Sequence, residues 1–160
     1  MKVIKLWCHI KAAVKKLAYK LIYGSKLKIG KGTTWRNEFH IAIEGGKIDI
    51  GDNCFFNNGC SINSLEHIAI GEGTIFGSNS HVYDHNHKFR NQQQSIKDQG
   101  YSTGETKIGK HCWIGTNVVI LKGVTIGDNV VIGAGCVVDC DIPANSIVKC
   151  SGNIEVSTKE

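Results

Sequence analysis

IGKHCWIGTNVVILKGVTIGDNVVIGAGCVV, residues 108–138, is the stretch on which the fold turns. It sets an aliphatic residue at every sixth position, Ile108, Ile114, Ile120, Ile126, Ile132 and Val138, and follows four of them with glycine, at 109, 115, 127 and 133. A helix repeats at about 3.6 residues and a half-buried strand at about 2, so a six-residue step fits neither. It fits a solenoid of short straight segments joined by tight corners, in which one aliphatic per segment points inward and stacks on its counterpart in the next coil. The glycine beside each aliphatic is expected to let the backbone turn without a Cβ clash.

Upstream, Ile29, Trp35 and Ile41 hold the same step, Ile50, Phe56 and Ile62 resume it after a slip within 44–49, and Ile70, Phe76 and Val82 resume it after a second slip around 65–68. IDIGDN at 48–53 and IAIGEG at 68–73 repeat the same corner, so the slips are imperfections of one repeat and mark no domain boundary. Between Val82 and Ile108 the pattern vanishes into a polar loop, 83–107. Loops of that length inside a compact fold are usually functional or disordered, and the histidines here argue for function. The closing CDIPANSIV ends the repeat at Pro143, which fixes φ and removes a donor. The polar residues 151–160 form a tail expected to fray.

Ahead of the coil, residues 2–23 place Val3, Trp7, Ile10, Val14, Leu17 and Leu21 at spacings of three and four, with lysines mostly off that stripe. This is an amphipathic helix, stopped at Gly24. Two roles stand open for it. It caps the exposed first coil by burying the stripe there, or its basic face meets an anionic membrane surface or another protein.

One hundred and sixty residues suit a single domain. The net charge of +5 conceals an asymmetry: residues 1–37 hold nine lysines, one arginine and no acid, while 38–160 hold nine basic against fourteen acidic residues. Basicity therefore belongs to the N-terminus, and the coil lacks the mixed basic and aromatic surface of a nucleic-acid binder. No run is long enough to span a bilayer and no export signal is read, so a cytoplasmic chain with reduced thiols is expected from its seven cysteines. Cys54 and Cys60 fall in phase with the coil and read as small apolar residues on one face.

HVYDHNHKFR, residues 81–90, gathers His81, His85 and His87 beside Asp84 where the coil gives way to the loop. Histidine is the side chain suited to take a proton near neutral pH, as attack by a weakly acidic hydroxyl requires. Asp84 reads either as a carboxylate orienting an imidazole or as a turn residue.

The IG-x4-IG steps, the WIG at 113–115, the IGAG at 132–135 and the DIPANSIV at 141–148 resemble the hexapeptide-repeat acyltransferases, over roughly residues 27–150. The resemblance implies a mainly β fold, a left-handed parallel β-helix at 26–150, with an N-terminal amphipathic α-helix at 1–25 and one long protruding loop; the handedness comes from the resemblance alone. It implies an O-acetyltransferase that uses acetyl-CoA and acetylates a sugar hydroxyl in polysaccharide or glycolipid assembly, working as a homotrimer with sites between chains. Laid against the family's motif, His87 takes the catalytic position with Lys88 in place of a proline, and His85, two residues away, and His81 remain alternatives. Trp113 would lie near the acyl donor, or else cap the coil as an aromatic. Gly115, Thr116, Gly133 and Ala134 would line the pantetheine arm through backbone groups. The family's basic corner is replaced here by Asp139-Cys140, so Lys149, Lys122 or an N-terminal lysine would meet the phosphates. Other acceptors (an amine, a serine hydroxyl, an antibiotic), a non-catalytic scaffold and a zinc protein like the γ-class carbonic anhydrases are the competing readings. No metal is expected, because three histidines within seven residues are laid out unlike that class, whose ligands come from separate coils and a neighbouring subunit.

Overall fold

The computed structural model describes residues 2–150 and 154–158, with side chains from 12 to 150. Each six-residue step forms one side of a three-sided coil. The first face stacks Leu27–Ile29, Lys47–Ile50, His67–Ile70, Thr106–Ile108 and Thr125–Ile126. The second stacks Thr34–Trp35, Phe55–Phe56, Ile75–Phe76, Trp113–Ile114, Val131–Ile132 and Ser146–Cys150. The third stacks His40–Ile43, Ser61–Ser64, His81–Tyr83, Val119–Ile120 and Val137–Val138. Successive turns pair in parallel, Ile108 with Ile126, Ile114 with Ile132 and Ile120 with Val138, so the inward ladder follows the register read from the repeat.

A second inward position lies two residues before each aliphatic and holds smaller side chains, Cys112, Val118, Val124, Val130 and Cys136, all buried. Cys54 and Cys60 occupy it in an earlier turn, and burial pushes both thiols above their ordinary range. In the first turns the column is aromatic. Phe39, Phe56 and Phe76 stack with centroids 4.6 Å apart, and Trp35 packs on Phe39 at 4.9 Å.

The glycines beside the aliphatics avoid the expected Cβ clash, but the turn itself lies elsewhere. The turning is done two residues later, where His111, Asn117 and Asn129 adopt φ of 55 to 58°. Asparagine and histidine enter that left-handed region more readily than most residues. The glycines serve close approach instead: a Cβ on Gly115 would lie 2.6 Å from the Ala134 amide nitrogen, and one on Gly127 2.4 Å from that of Ala144.

Both phase slips and the long loop sit at one corner, between the third face and the first. Ile48 pairs with Ile68, twenty residues on, where the later Ile108 pairs with Ile126, eighteen on. Asp84, fully buried, pins this corner. Its carboxylate accepts from the Ser64 hydroxyl at 2.7 Å and from the backbone N–H groups of Leu65 at 2.8 Å and Glu66 at 2.9 Å. The loop is ordered around a hairpin, His85–His87 against Tyr101–Thr103, with a 3-10 turn at Ile96–Gln99.

The N-terminal helix, Lys2–Tyr23, caps the first turn, and it does so with a face other than the expected one. Ala12 and Tyr19 are buried against the coil. The Tyr19 hydroxyl donates to the Phe39 carbonyl at 3.2 Å and accepts from the Ile41 N–H at 3.1 Å, Tyr23 donates to the Ile41 carbonyl at 3.0 Å, and Lys16 donates to the Gly30 carbonyl at 2.8 Å. Lys15 also donates to the Phe39 carbonyl. These groups satisfy the open edge of the first coil, which would otherwise expose unpaired backbone. The apolar stripe through Val14, Leu17 and Leu21 points outward, with Leu21 78% exposed. Capping the coil with hydrogen-bonding tips left the aliphatic stripe free. The part of the stripe at Val3, Trp7 and Ile10 lies outside the described side chains. At the other end, Ile154–Thr158, expected to fray, pairs antiparallel with Ser146–Cys150; residues 151–153, 159 and 160 lie outside the described set.

Two outcomes follow for stability. Ile126→Asp puts a carboxylate into the dry ladder and is expected to cost roughly 4 kcal/mol or more, read by urea unfolding; a near-parental midpoint would exclude the inward register. Asp84→Asn is expected to cost about 2–3 kcal/mol at pH 7 through lost charge-assisted bonds. Burial acts to raise the Asp84 pKa, but the donors from Leu65, Ser64, His85 and Glu66 outweigh it and hold it below the ordinary 3.8. A depressed carboxylate stabilises fully above its unfolded value and loses that contribution as pH falls toward the folded one. The gap between parent and variant should therefore be constant above about pH 5 and shrink below 3.8.

Candidate active site

The fourth acceptor site on Asp84 leads out of the coil and into the loop. Its Oδ1 lies 3.0 Å from Nδ1 of His85, the first residue of the hairpin. An ionised carboxylate only accepts, so Nδ1 carries the hydrogen and Nε2 presents a lone pair. Tyr83 and Tyr101 meet the His85 ring edge-on, with centroids 6.2 and 5.3 Å away. His85 is thus held by a buried anion behind it and aromatic rings beside it.

The other two histidines are placed differently. His87 is exposed and lies against Tyr101 at 4.5 Å, with no carboxylate on its ring among the described residues. His81 sits within the third face, its Nδ1 2.8 Å from the Ser61 hydroxyl. Among the described residues no three His, Cys, Asp or Glu side chains gather as a metal ion would need. The far end of the loop is anchored by a residue that sequence reading passed over, His67. Its Nδ1 lies 2.5 Å from Glu105 and its Nε2 2.9 Å from Asp49, while Lys107 and Lys28 flank the same carboxylates at 2.6 and 3.2 Å. Burial acts to raise the Asp49 pKa, but His67 and Lys28 outweigh it and hold the carboxyl below its ordinary range. Its signal in the sequence was a histidine opening HIAI, the same four residues as at 40–43, and only folding brought it beside Glu105.

The residues matched to the acyl donor gather elsewhere. Trp113, 55% exposed, stands on the second face between Ile75 and Val131. Gly115 follows it and lies on the Gly133–Ala134 corner of the next turn, its N–H donating to the Ile132 carbonyl at 2.8 Å. Gly133 in turn donates to Val148 at 2.8 Å, and exposed Lys149 comes next. Thr116 and Ala134 are both exposed at the corner leading to the third face. Trp113, Gly115, Thr116, Gly133, Ala134 and Lys149 therefore form one strip over the last three turns. His85 and His87 leave from the corner between the third and first faces, so one chain does not bring strip and histidines together. Lys122 lies under the loop, apart from Lys149.

Comparison with known proteins places this architecture. Residues 105–140 match the family model described as bacterial transferase hexapeptide (six repeats). The chain is 28% identical to the putative colanic acid biosynthesis acetyltransferase WcaF of Escherichia coli (strain K12), across 98% of this chain and 86% of that protein. Among solved structures it is 32% identical to a maltose O-acetyltransferase from Clostridium difficile 630, with a TM-score of 0.65 over 80% of this chain and 69% of the other. A hexapeptide-repeat acetyltransferase from Vibrio cholerae, solved with acetyl coenzyme A, is 27% identical with a TM-score of 0.71 over 84% of this chain and 72% of the other. With its repeat, its three stacked faces and these matches in agreement, the chain belongs to the hexapeptide-repeat acetyltransferases.

Proposed function

We propose that this acetyltransferase moves the acetyl group of acetyl-CoA onto a hydroxyl of a sugar in surface polysaccharide or glycolipid assembly, with His85 as the general base. The observation that carries the assignment of the base is the 3.0 Å bond from Nδ1 to the buried Asp84. Nε2 takes the proton of the acceptor hydroxyl as that oxygen attacks the thioester carbonyl; the carbon–sulfur bond then breaks, and the imidazolium returns the proton to the departing sulfur. Asp84 fixes the tautomer and favours the transient imidazolium, a role additional to holding the corner. This reading prefers His85 to His87, which the family motif put first, because among the described residues no carboxylate fixes the tautomer of His87.

The sugar acceptor is supported by the names of the colanic acid and maltose relatives. Acetyl-CoA is the co-substrate, and the strip from Trp113 to Lys149 supplies the small-residue backbone along which a pantetheine arm fits. Because that strip and His85 lie on different sides of one chain, a homotrimer in which each site joins the histidine of one chain to the strip of the next accounts for both.

The outward stripe of the helix gives the reading a location. Val14, Leu17, Leu21 and Ile22 are exposed beside Lys20, in a segment whose charge is wholly positive. Among the described residues no helix is long and apolar enough to cross a membrane. A stripe of this kind lies in the plane of an anionic bilayer, so the enzyme rests on the cytoplasmic face, where apolar burial and basic attraction add.

Three experiments test these readings. His85→Ala is expected to lower kcat about 10²-fold or more with saturating acetyl-CoA, and His87→Ala to cost far less; the reverse order would transfer the role to His87. Co-expressed His85→Ala and Trp113→Ala chains are expected to form mixed oligomers with activity that neither variant has alone, and inactive mixtures would refute a shared site. In the third experiment, Leu17→Glu with Leu21→Glu is expected to weaken binding to phosphatidylserine vesicles by about tenfold or more without lowering Tm. Undiminished vesicle binding would remove the membrane reading.

A further inference from the structure

Beneath the loop hairpin lies a cavity of about 670 Å3. Lys88 and Arg90 reach it from the loop and Lys122 from the coil below, and no carboxylate lines it. None of the three makes an ion pair among the described residues. Residues 38–160 hold only nine basic side chains against fourteen acidic ones, so three unpaired cations on one cavity run against the charge balance of their own domain. Like charges brought together without a counterion repel, and the arrangement is favourable only when an anion joins them.

The remaining walls indicate what carries that anion. Phe89, 67% exposed, offers a flat apolar face at the rim, and Asn86 offers an amide. A sugar ring takes both kinds of contact, its C–H face on an aromatic and its hydroxyls on amides. Part of the lining is organised before any ligand arrives: the Gln99 amide donates to the carbonyls of Asn91 at 2.9 Å and Gln94 at 3.0 Å, and its oxygen accepts from the Asn91 N–H at 3.0 Å. Preorganisation of this kind reduces the entropy lost on binding. In the hairpin register, Asn86 pairs with Ser102 on one face, while His85 with Thr103 and His87 with Tyr101 fall on the other. The cavity takes the Asn86–Ser102 side, with His87 at its edge. Whatever it holds is therefore displaced from the hydroxyl that faces His85.

We infer that this cavity binds an anionic group, a carboxylate or a phosphate, carried by a sugar unit of the acceptor next to the one acetylated. The inference rests on the acetyl transfer proposed above and narrows it, making the acceptor an acidic oligosaccharide. Binding energy gathered at such a remote unit holds the reacting hydroxyl in place.

The test is calorimetric titration of the full chain, without acetyl-CoA, with a glucuronate-containing disaccharide, its neutral glucose counterpart, and that neutral disaccharide bearing a phosphate. At least one anionic probe is expected to bind about tenfold tighter than the neutral one, and raised salt to erode the preference. Whichever anionic probe binds identifies the source as carboxylate or phosphate. Arg90→Gln and Lys122→Gln should each weaken the anionic probe several-fold, while Lys97→Gln, on the loop but outside the cavity, leaves it unchanged. In steady-state assays the two cavity variants should raise KM for the acidic acceptor and leave kcat at saturation near the parent's. Equal affinity for charged and neutral probes overturns the inference, as does a preference that survives in a Lys88→Gln, Arg90→Gln, Lys122→Gln triple variant of parental Tm. Displacement of the anionic probe by 3′-phosphoadenosine 5′-phosphate also overturns it, since the cations would then serve the co-substrate. Binding is read without catalysis, so loss of acetyl transfer with the anion preference intact would count against the catalytic reading alone.

Discussion

Neighbouring turns of the coil must approach closely enough for backbone hydrogen bonds to close between them along all three faces, and most of the sequence answers to that spacing. Inward positions admit only side chains that stack on a like partner one turn away, as Ile108 does on Ile126. At the corners, where the turns come closest, even a methyl group is excluded: added at Gly109 it would lie 2.5 Å from the Gly127 carbonyl carbon. The ends of such a stack carry unpaired edges, which the Tyr19, Tyr23 and lysine tips of the helix satisfy at the start and the antiparallel strand Ile154–Thr158 covers at the finish.

A repeat so constrained leaves little room for chemistry inside it, and variation collects at the corner between the third and first faces. Asp84 joins the two requirements. Three of its bonds tie the loop's root to the preceding turn and the remaining one holds His85. The loop's exit is secured by Glu105 on His67. Both limbs are fixed by carboxylates, which lets a polar insertion of this length stand as an ordered hairpin.

The chain then divides its candidate site residues between two sides of the solenoid. The histidines leave one corner, while the Trp113 strip and the small residues over Ala134 run along the second face toward another corner. The proposed homotrimer is built on this division, since a trimer of three-sided coils can set the corner of one chain against the face of the next.

Much of the fold was legible in residues 108–138 because a coil is a local, repeating solution: the six-residue step named the inward positions, and three such steps to a turn set the pairing of Ile114 with Ile132. The loop's boundaries and its histidines were legible for the same reason, as the place where the repeat stops. The family motif put His87 ahead of His85, the corner glycines were assigned to turning, and the aliphatic stripe of the helix was left open between burial on the first coil and a membrane or protein surface. Each of these depended on what lay one turn away. A carboxylate fixes an imidazole only where both are brought within hydrogen-bonding distance, as Asp84 and His85 are once the preceding coil has buried Asp84. A glycine is required where another backbone passes within about 3 Å, and a helix buries the face whose tips match the edge it covers. Spacing along the chain carries none of that information. It arises when residues a full turn of the coil apart are stacked, and that is what the tertiary structure decided.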